Sequence, residues 1–120
     1  MAKILIIDDD KNIRDMLRMH LEDAGHKIIE AETGLKGIEA VRQNIIDLII
    51  TDIIMPDQEG ITTIKFLIDK FPNIKIIAMS GGGHITAETY LDIAKKFGVK
   101  KAFTKPFKIK EILDAVQELL

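Results

Sequence analysis

The amino-acid sequence predicts an α/β fold in which helices cover both faces of a parallel β-sheet. Three observations support this prediction. Short runs rich in isoleucine and valine alternate with longer segments of helical periodicity along the chain. The length of 120 residues suits a single domain, residues 1–120, with its own core. Hydrophobic residues make up 47% and charged residues 30%, a balance typical of soluble globular proteins.

Five strands are predicted, each short and bounded by turn or charge signals. They are Lys3–Ile7, Lys27–Glu30, Asp47–Thr51, Lys75–Met79 and Val99–Phe103. The first, third and fourth are almost continuously aliphatic, as central strands buried on both faces are. The second and fifth are shorter or charged, which is typical of edge strands. These compositions predict the order 2-1-3-4-5, which is that of a flavodoxin-like, doubly wound sheet.

The segments between and after the strands carry apolar residues at helical spacing, which predicts five helices. For the five segments in turn, these residues are Ile13, Met16, Leu17, His20 and Leu21; Leu35, Ile38, Val41 and Ile45; Ile61, Ile64, Ile68 and Phe71; Ala87, Leu91, Ala94 and Phe97; and Ile109, Ile112, Leu113, Val116, Leu119 and Leu120. Asp10 is expected to cap the first helix, and Thr86 the fourth.

Polar side chains follow four of the predicted strands. In chain order they are Asp8, Asp9 and Asp10 after the first strand, Asp52 after the third, Ser80 after the fourth, and Lys105 after the fifth. Because the carboxyl ends of parallel strands meet at one edge of the sheet, we expect carboxylates, a hydroxyl and an ammonium to converge there.

This combination of groups favours phosphoryl chemistry. Clustered carboxylates repel each other, and oxygen ligands without histidine or cysteine suit Mg²⁺ or Mn²⁺. A lysine and a hydroxyl facing the metal would clamp a transferring phosphoryl group. Asp52, on the central strand, is the predicted nucleophile. Each residue also has an ordinary interpretation when it is taken singly: Asp10 as a helix cap, Ser80 as the start of a glycine-rich turn and Lys105 as a surface lysine. All the polar groups together at one edge of the sheet favour a phosphate-handling site.

Four motifs carry a resemblance to a known family: ILIIDDD, LIITDIIMPDQEG, IIAMSG and FTKPF. In order and spacing the chain resembles the receiver domain of two-component response regulators over its whole length. The resemblance implies a signalling phospho-acceptor, not an enzyme in the ordinary sense. It would take a phosphoryl group from a histidine kinase or a histidine phosphotransfer protein in a Mg²⁺-dependent reaction.

The resemblance also assigns roles at the acidic pocket. Asp52 matches the phospho-acceptor. Asp8 and Asp9 match the acidic pair that holds the metal, together with Asp52 and the main-chain carbonyl of Ile54. Lys105 matches the lysine that pairs with the phosphoryl group.

Further matches concern the switch between signalling states. Ser80 matches the switch hydroxyl, Gly81 opens the compliant loop after it, and Pro106 matches a proline that follows a cis peptide bond. Receivers usually carry an aromatic residue where this chain has Ala102, and Phe103 is expected to point to the opposite face of the strand. We therefore expect signalling through rearrangement of the loop after Ser80, without an aromatic gate.

Charge and composition bear on partners and location. The net charge is −2, yet residues 95–110 carry seven lysines and no acid. By family analogy the output partner binds the face of residues 86–115, so we expect an acidic partner surface. We expect no membrane association and no direct binding of nucleic acid. The absence of cysteine agrees with a cytoplasmic protein.

Three alternatives stay open at this point. A haloacid-dehalogenase-like phosphatase also uses an aspartate nucleophile and Mg²⁺, but its motif needs Thr or Val where this chain has Asn12. A pseudo-receiver would not take phosphate, although the complete set of site residues argues against it. The chain is also compatible with the receiver half of a larger DNA-binding or output regulator.

Overall fold

The computed structural model describes residues 2–53, 60–81, 92 and 94–120. In chain order the strands and helices of these residues are β1 (Lys3–Ile7), α1 (Lys11–Asp23), β2 (Lys27–Ala31), α2 (Gly34–Gln43), β3 (Leu48–Asp52), α3 (Gly60–Lys70), β4 (Lys75–Ser80), β5 (Lys101–Thr104) and α4 (Ile109–Leu119). Asp92 and residues 94–96 are also helical, within the segment predicted to be the helix before β5.

The five strands form one sheet in the order β2-β1-β3-β4-β5. Every neighbouring pair is parallel, so the predicted order and direction are confirmed. All five residues of β3 are buried, whereas β5 has none in the buried class. The aliphatic runs therefore occupy the middle of the sheet, where helices cover both of its faces.

Alternating side chains of the strands supply two separate cores. In β1, Leu5 and Ile7 face the layer of α2 and α3, while Ile4 and Ile6 face the layer of α1 and α4. All four side chains are fully buried. Both faces are filled in this way, and the buried carboxylates among the described residues, Asp8 and Asp52, lie where strands end.

Four strands end one residue later than the sequence predicts, and two begin later. β2, β3, β4 and β5 extend to Ala31, Asp52, Ser80 and Thr104, because the parallel pairing continues to those residues. β3 begins at Leu48, where its pairing with β1 begins. β5 begins at Lys101 because the N–H of Val99 still bonds to the carbonyl of Ala94 in the preceding helical turn. The shift places Asp52 and Ser80 within the sheet, where their backbones are held by the ladder.

The helix boundaries follow capping chemistry. The Asp10 side chain accepts a hydrogen bond from the N–H of Asn12 at 2.9 Å, which confirms its predicted role as the cap of α1. The predicted cap Thr86 lies outside the described residues. Ile45 was expected on the apolar face of α2, and this is wrong: Asn44 is extended, the helix ends at Gln43, and Ile45 is 86% exposed.

Among the residues described, none of the helices combines the length and the apolar composition that crossing a bilayer requires.

Gly60 starts α3 in close contact with the main chain that follows β3. Its N–H donates to the carbonyl of Ile53 at 3.0 Å. A Cβ atom at residue 60 would lie 2.6 Å from that carbonyl oxygen and closer still to the Ile53 Cα. Both are backbone atoms at the end of the central strand, so they cannot rotate away. The glycine thus permits α3 to begin against the strand that carries Asp52.

We expect Gly60→Ala to lower the free energy of unfolding by about 1–3 kcal/mol, because the added methyl group overpacks against the backbone of Ile53. This loss outweighs the gain in helix propensity, which is at most about 1 kcal/mol. Urea denaturation checks the prediction, with Thr62→Ala at an exposed position of the same helix as the control. A Gly60→Ala protein as stable as the control would contradict this account of the contact.

Candidate functional site

Four polar side chains meet at the carboxyl edge of the sheet. Asp8 directly follows β1, Asp52 ends β3, Ser80 ends β4 and Lys105 directly follows β5. Asp8 and Ser80 are fully buried and Asp52 is 5% exposed. The structure therefore brings together residues that the sequence separates by up to 97 positions.

Lys105 bridges two of these strand ends. Its Nζ donates to Asp8 Oδ2 at 2.8 Å and to Asp52 Oδ2 at 3.0 Å. Burial is the largest single influence on its pKa and lowers it, but the hydrogen bonds and charges of Asp8 and Asp52 outweigh this, so the pKa of Lys105 is raised. The lysine is therefore a permanent cation at neutral pH, held between two buried carboxylates.

Asp8 is held on both carboxylate oxygens. Oδ1 accepts from the N–H of Asp10 at 2.9 Å, and Oδ2 accepts from Lys105. Burial raises the pKa of the Asp8 carboxyl because it disfavours the charged form; the charge of Asp52 acts in the same direction, and the donors Lys105 and Asp10 act against it. The pocket thus holds a carboxylate in surroundings that favour its neutralisation by a cation or a proton.

Asp9 completes a group of three carboxylates. One oxygen each from Asp8, Asp9 and Asp52 lies within 4.8 Å of the others. Asp9 is exposed, whereas the other two are buried, so the group opens to solvent on the Asp9 side. Three carboxylates against one ammonium leave two net negative charges. A single hard dication with oxygen ligands would balance that charge, and the residues present fit Mg²⁺.

Ser80 adds a hydroxyl at the same edge. Its Oγ is buried and has no hydrogen-bond partner among the described residues. The main chain around it is fixed, because the N–H of Lys105 donates to the Ser80 carbonyl at 2.8 Å. A buried hydroxyl without a partner is costly, and a ligand oxygen bound at this edge would satisfy it.

Gly81 lies against the aliphatic part of the Lys105 side chain. A Cβ atom at residue 81 would lie 3.1 Å from the Cδ of Lys105 and 3.3 Å from its Cβ. A larger residue here would push against the aliphatic stem that carries the ammonium between Asp8 and Asp52. The glycine that opens the loop after β4 therefore leaves room for the neighbouring strand's functional side chain.

The remaining residues singled out in the sequence lie around this pocket or outside the described residues. The peptide bond between Lys105 and Pro106 is cis. Ala102 packs with the α2–α3 core and Phe103 with the α1–α4 core, which confirms that they occupy opposite faces of β5. Ile54 lies outside the described residues.

Sequence reasoning missed Arg14. Its Nη1 donates to the main-chain carbonyl of Asp8 at 2.8 Å, and its Nε donates to Glu30 at 3.0 Å. The only signal for this contact was a charged residue in α1 at the fourth position after the cap, opposite a charged residue in an edge strand. That signal does not distinguish a buried contact from an ordinary solvated pair.

A family model described as the response regulator receiver domain matches residues 4–117. The chain belongs to this family. It is a receiver domain of the kind that accepts phosphoryl groups in two-component signalling. The alternative of a haloacid-dehalogenase-like phosphatase is therefore set aside.

Individual relatives and solved structures match almost the whole chain. Sporulation initiation phosphotransferase F of Bacillus subtilis is 33% identical over 118 residues, which cover 98% of this chain and 93% of the relative. The structure of a CheY-like receiver domain protein from Methanospirillum hungatei matches with a TM-score of 0.90 at 25% identity, covering 98% of this chain and 92% of that one. The response regulator TrrA of Thermotoga maritima, in complex with Mg²⁺ and BeF, matches with a TM-score of 0.85 at 28% identity over the full length of both.

We expect Lys105→Met to destabilise the metal-free receiver by about 3 kcal/mol at pH 7, because it leaves two buried carboxylates without their cation. Since the pKa of Lys105 is raised, its contribution is fully present below its ordinary pKa of 10.5 and is lost only as the pH rises through the higher folded-state value. Urea denaturation at pH 7 with a chelator present measures the effect.

Lys110→Met is the control for this prediction, because Lys110 is exposed on α4. Its free energy of unfolding is expected to stay within about 0.5 kcal/mol of the wild type. Equal stability of the Lys105 and Lys110 variants would contradict the central place given to the ammonium.

Proposed function

We propose that Asp52 is the residue of this receiver that accepts the phosphoryl group, in a reaction that depends on Mg²⁺. The observation that carries the proposal is the single ammonium of Lys105, 3.0 Å from the carboxylate of Asp52 and 2.8 Å from that of Asp8. Asp52 ends the central strand β3, which lies between β1, directly followed by Asp8, and β4, which ends at Ser80. Of the three clustered carboxylates, it is the one that lies on the central strand.

The metal would be held by the carboxylates of Asp8, Asp9 and Asp52. The main-chain carbonyl of Ile54, which lies outside the described residues, is proposed as a further ligand on the family pattern. When bound, Mg²⁺ supplies positive charge next to the phosphoryl oxygens. Mn²⁺ suits the same oxygen ligands. The complex of TrrA with Mg²⁺ and BeF supports this assignment by similarity.

The transfer itself needs few groups from the protein. A carboxylate oxygen of Asp52 forms a bond to phosphorus while the P–N bond of a phosphohistidine breaks, and the bonding electron pair stays on the imidazole nitrogen, which then takes a proton. Lys105 would donate a hydrogen bond to an oxygen of the new acyl phosphate. The buried hydroxyl of Ser80 would donate a hydrogen bond to another of these oxygens, which would give this hydroxyl a partner.

The phosphodonor is proposed to be a histidine kinase or a histidine phosphotransfer protein, docking on the side of α1. For the output partner the proposed face, residues 86–115, lies partly outside the described residues. Its described part is of mixed sign, since the acids Glu111 and Asp114 lie close to Lys101. The Nζ of Lys101 also lies 3.1 Å from Glu118 Oε2, just beyond this face. The exposed Lys95, Lys96 and Lys100 support an acidic partner whose affinity falls at high salt. A cytoplasmic location stays a prediction.

Incubation with acetyl phosphate and Mg²⁺ is expected to add about 80 Da, the mass of one phosphoryl group, to the intact protein. Asp52→Asn should abolish this gain because the amide is not a nucleophile of comparable strength. Asp10→Asn is the matched control, since Asp10 caps α1 and asparagine caps equally well. A mass gain that persists in Asp52→Asn and disappears in Asp10→Asn would overturn the assignment.

Mg²⁺ at about one hundred times its dissociation constant is expected to raise the free energy of unfolding by about 2.7 kcal/mol, because only the folded state binds it. Asp8→Asn should remove most of this increment, since it takes away one of the three clustered carboxylates. Asp10→Asn should keep it. Thermal unfolding with and without Mg²⁺ provides the measurement, and an increment that survives in Asp8→Asn would exclude Asp8 from the metal site.

A further inference from the structure

A cluster of four charged side chains lies beside the acidic pocket, between α1 and the edge strand β2. Its members are Arg14, Arg18, Glu22 and Glu30. Arg14 Nε donates to one carboxylate oxygen of Glu30 at 3.0 Å, and Arg18 Nη1 donates to the other at 2.7 Å. Arg18 Nε also donates to Glu22 at 3.3 Å. Glu30 is thus held by two guanidinium groups.

Arg14 differs from Arg18 because it also reaches the pocket. Its Nη1 donates to the main-chain carbonyl of Asp8 at 2.8 Å, and its side chain is only 14% exposed. The pairing of β1 with β2 ends at Ile7 and Ala31, and the N–H of Asp8 makes one further bond to the Ala31 carbonyl. The Asp8 carbonyl lies beyond the paired residues, and Arg14 supplies its donor.

The hydrogen bond from Arg14 to the Asp8 carbonyl also constrains the main chain of the next residue, Asp9. The carbonyl of Asp8 and the N–H of Asp9 belong to one planar peptide group, so a donor that fixes the carbonyl also fixes the plane. Asp9 is exposed, and packing therefore does not determine where its carboxylate lies. The main chain of the turn must do so.

We propose that Arg14 is a positioning residue for the metal site: it holds the peptide between Asp8 and Asp9 so that the Asp9 carboxylate is directed at the ion shared with Asp8 and Asp52. Glu30 orients the guanidinium and neutralises its charge, which would otherwise repel a dication in the pocket. The inference rests on the proposed function, since it requires Mg²⁺ at these three carboxylates.

Electrostatics and positioning predict opposite effects for Arg14→Met. The substitution removes a positive charge near the pocket, and on that ground alone Mg²⁺ would bind more tightly. Loss of the hydrogen bond to Asp8 would weaken binding. Arg18→Met is the matched control, because it makes the same change in charge and loses the same partner Glu30, while its hydrogen bonds go to Glu30 and Glu22 and not to Asp8.

Isothermal titration calorimetry with Mg²⁺ measures the affinity of the wild type and both variants. We expect Arg14→Met to bind about tenfold more weakly, the lower end of what loss of a residue orienting a metal ligand costs. Arg18→Met should bind as tightly as the wild type or more tightly. NMR spectra of the metal-free folded protein provide a second measurement. The chemical shift of the Asp9 amide nitrogen should change in Arg14→Met and stay at its wild-type value in Arg18→Met.

A second substitution keeps the test decisive if Arg14→Met folds poorly. Arg14→Lys retains the charge and the stem but has one nitrogen for two acceptors, so its affinity should fall below that of the wild type. Affinities for Arg14→Met and Arg14→Lys no weaker than that of Arg18→Met would overturn the positioning role while leaving the proposed function intact. Equal weakening in the Arg14 and Arg18 variants would overturn it too. A wild type that fails to bind Mg²⁺ would overturn both proposals.

Discussion

The ammonium of Lys105, placed between the carboxylates of Asp8 and Asp52, is the interaction on which the rest of the site depends. Two carboxylates with almost no exposure to solvent repel each other and are strongly disfavoured in the interior unless a cation accompanies them. The one ammonium of Lys105 stabilises the two buried carboxylates but does not balance the negative charge of all three carboxylates in the group. A dication would balance the negative charge that remains, and when bound it would also offset the charge of a phosphoryl group.

The fold provides this arrangement through strand order. β1 and β3 are neighbours, β4 lies beside β3, and β5 is the edge strand beyond β4. Lys105 directly follows β5, and its side chain reaches Asp52 and Asp8. Cores on both faces of the sheet keep the strand ends in register, and glycines remove side chains where the main chain of Ile53 and the stem of Lys105 come close. Asp52 and Ser80 thus lie in the last residues of strands, and Asp8 and Lys105 directly after strands, while the position of the exposed Asp9 depends on its own turn.

Much of the fold and of the site was predictable from the sequence because both follow from short patterns. Aliphatic runs mark the central strands, and the residues that follow them must meet at one edge of a parallel sheet. The pattern does not show which members of a run of identical residues are buried. Of the three consecutive aspartates, Asp8 is buried, Asp9 is exposed, and Asp10 caps α1. The exit of Ile45 from α2 and the contact of Arg14 with Asp8 depend on main-chain geometry and tertiary contacts, which helical periodicity does not specify.

The central claim is that three neighbouring carboxylates divide their roles and that the one which reacts is Asp52. Reduction of the phosphorylated receiver with borohydride, followed by peptide mass spectrometry, tests it most directly, because borohydride converts an acyl phosphate into the corresponding alcohol and so marks the residue that carried it. The account predicts homoserine at position 52 and unchanged aspartate at positions 8, 9 and 10. Homoserine at any of those three positions, with Asp52 unchanged, would contradict it.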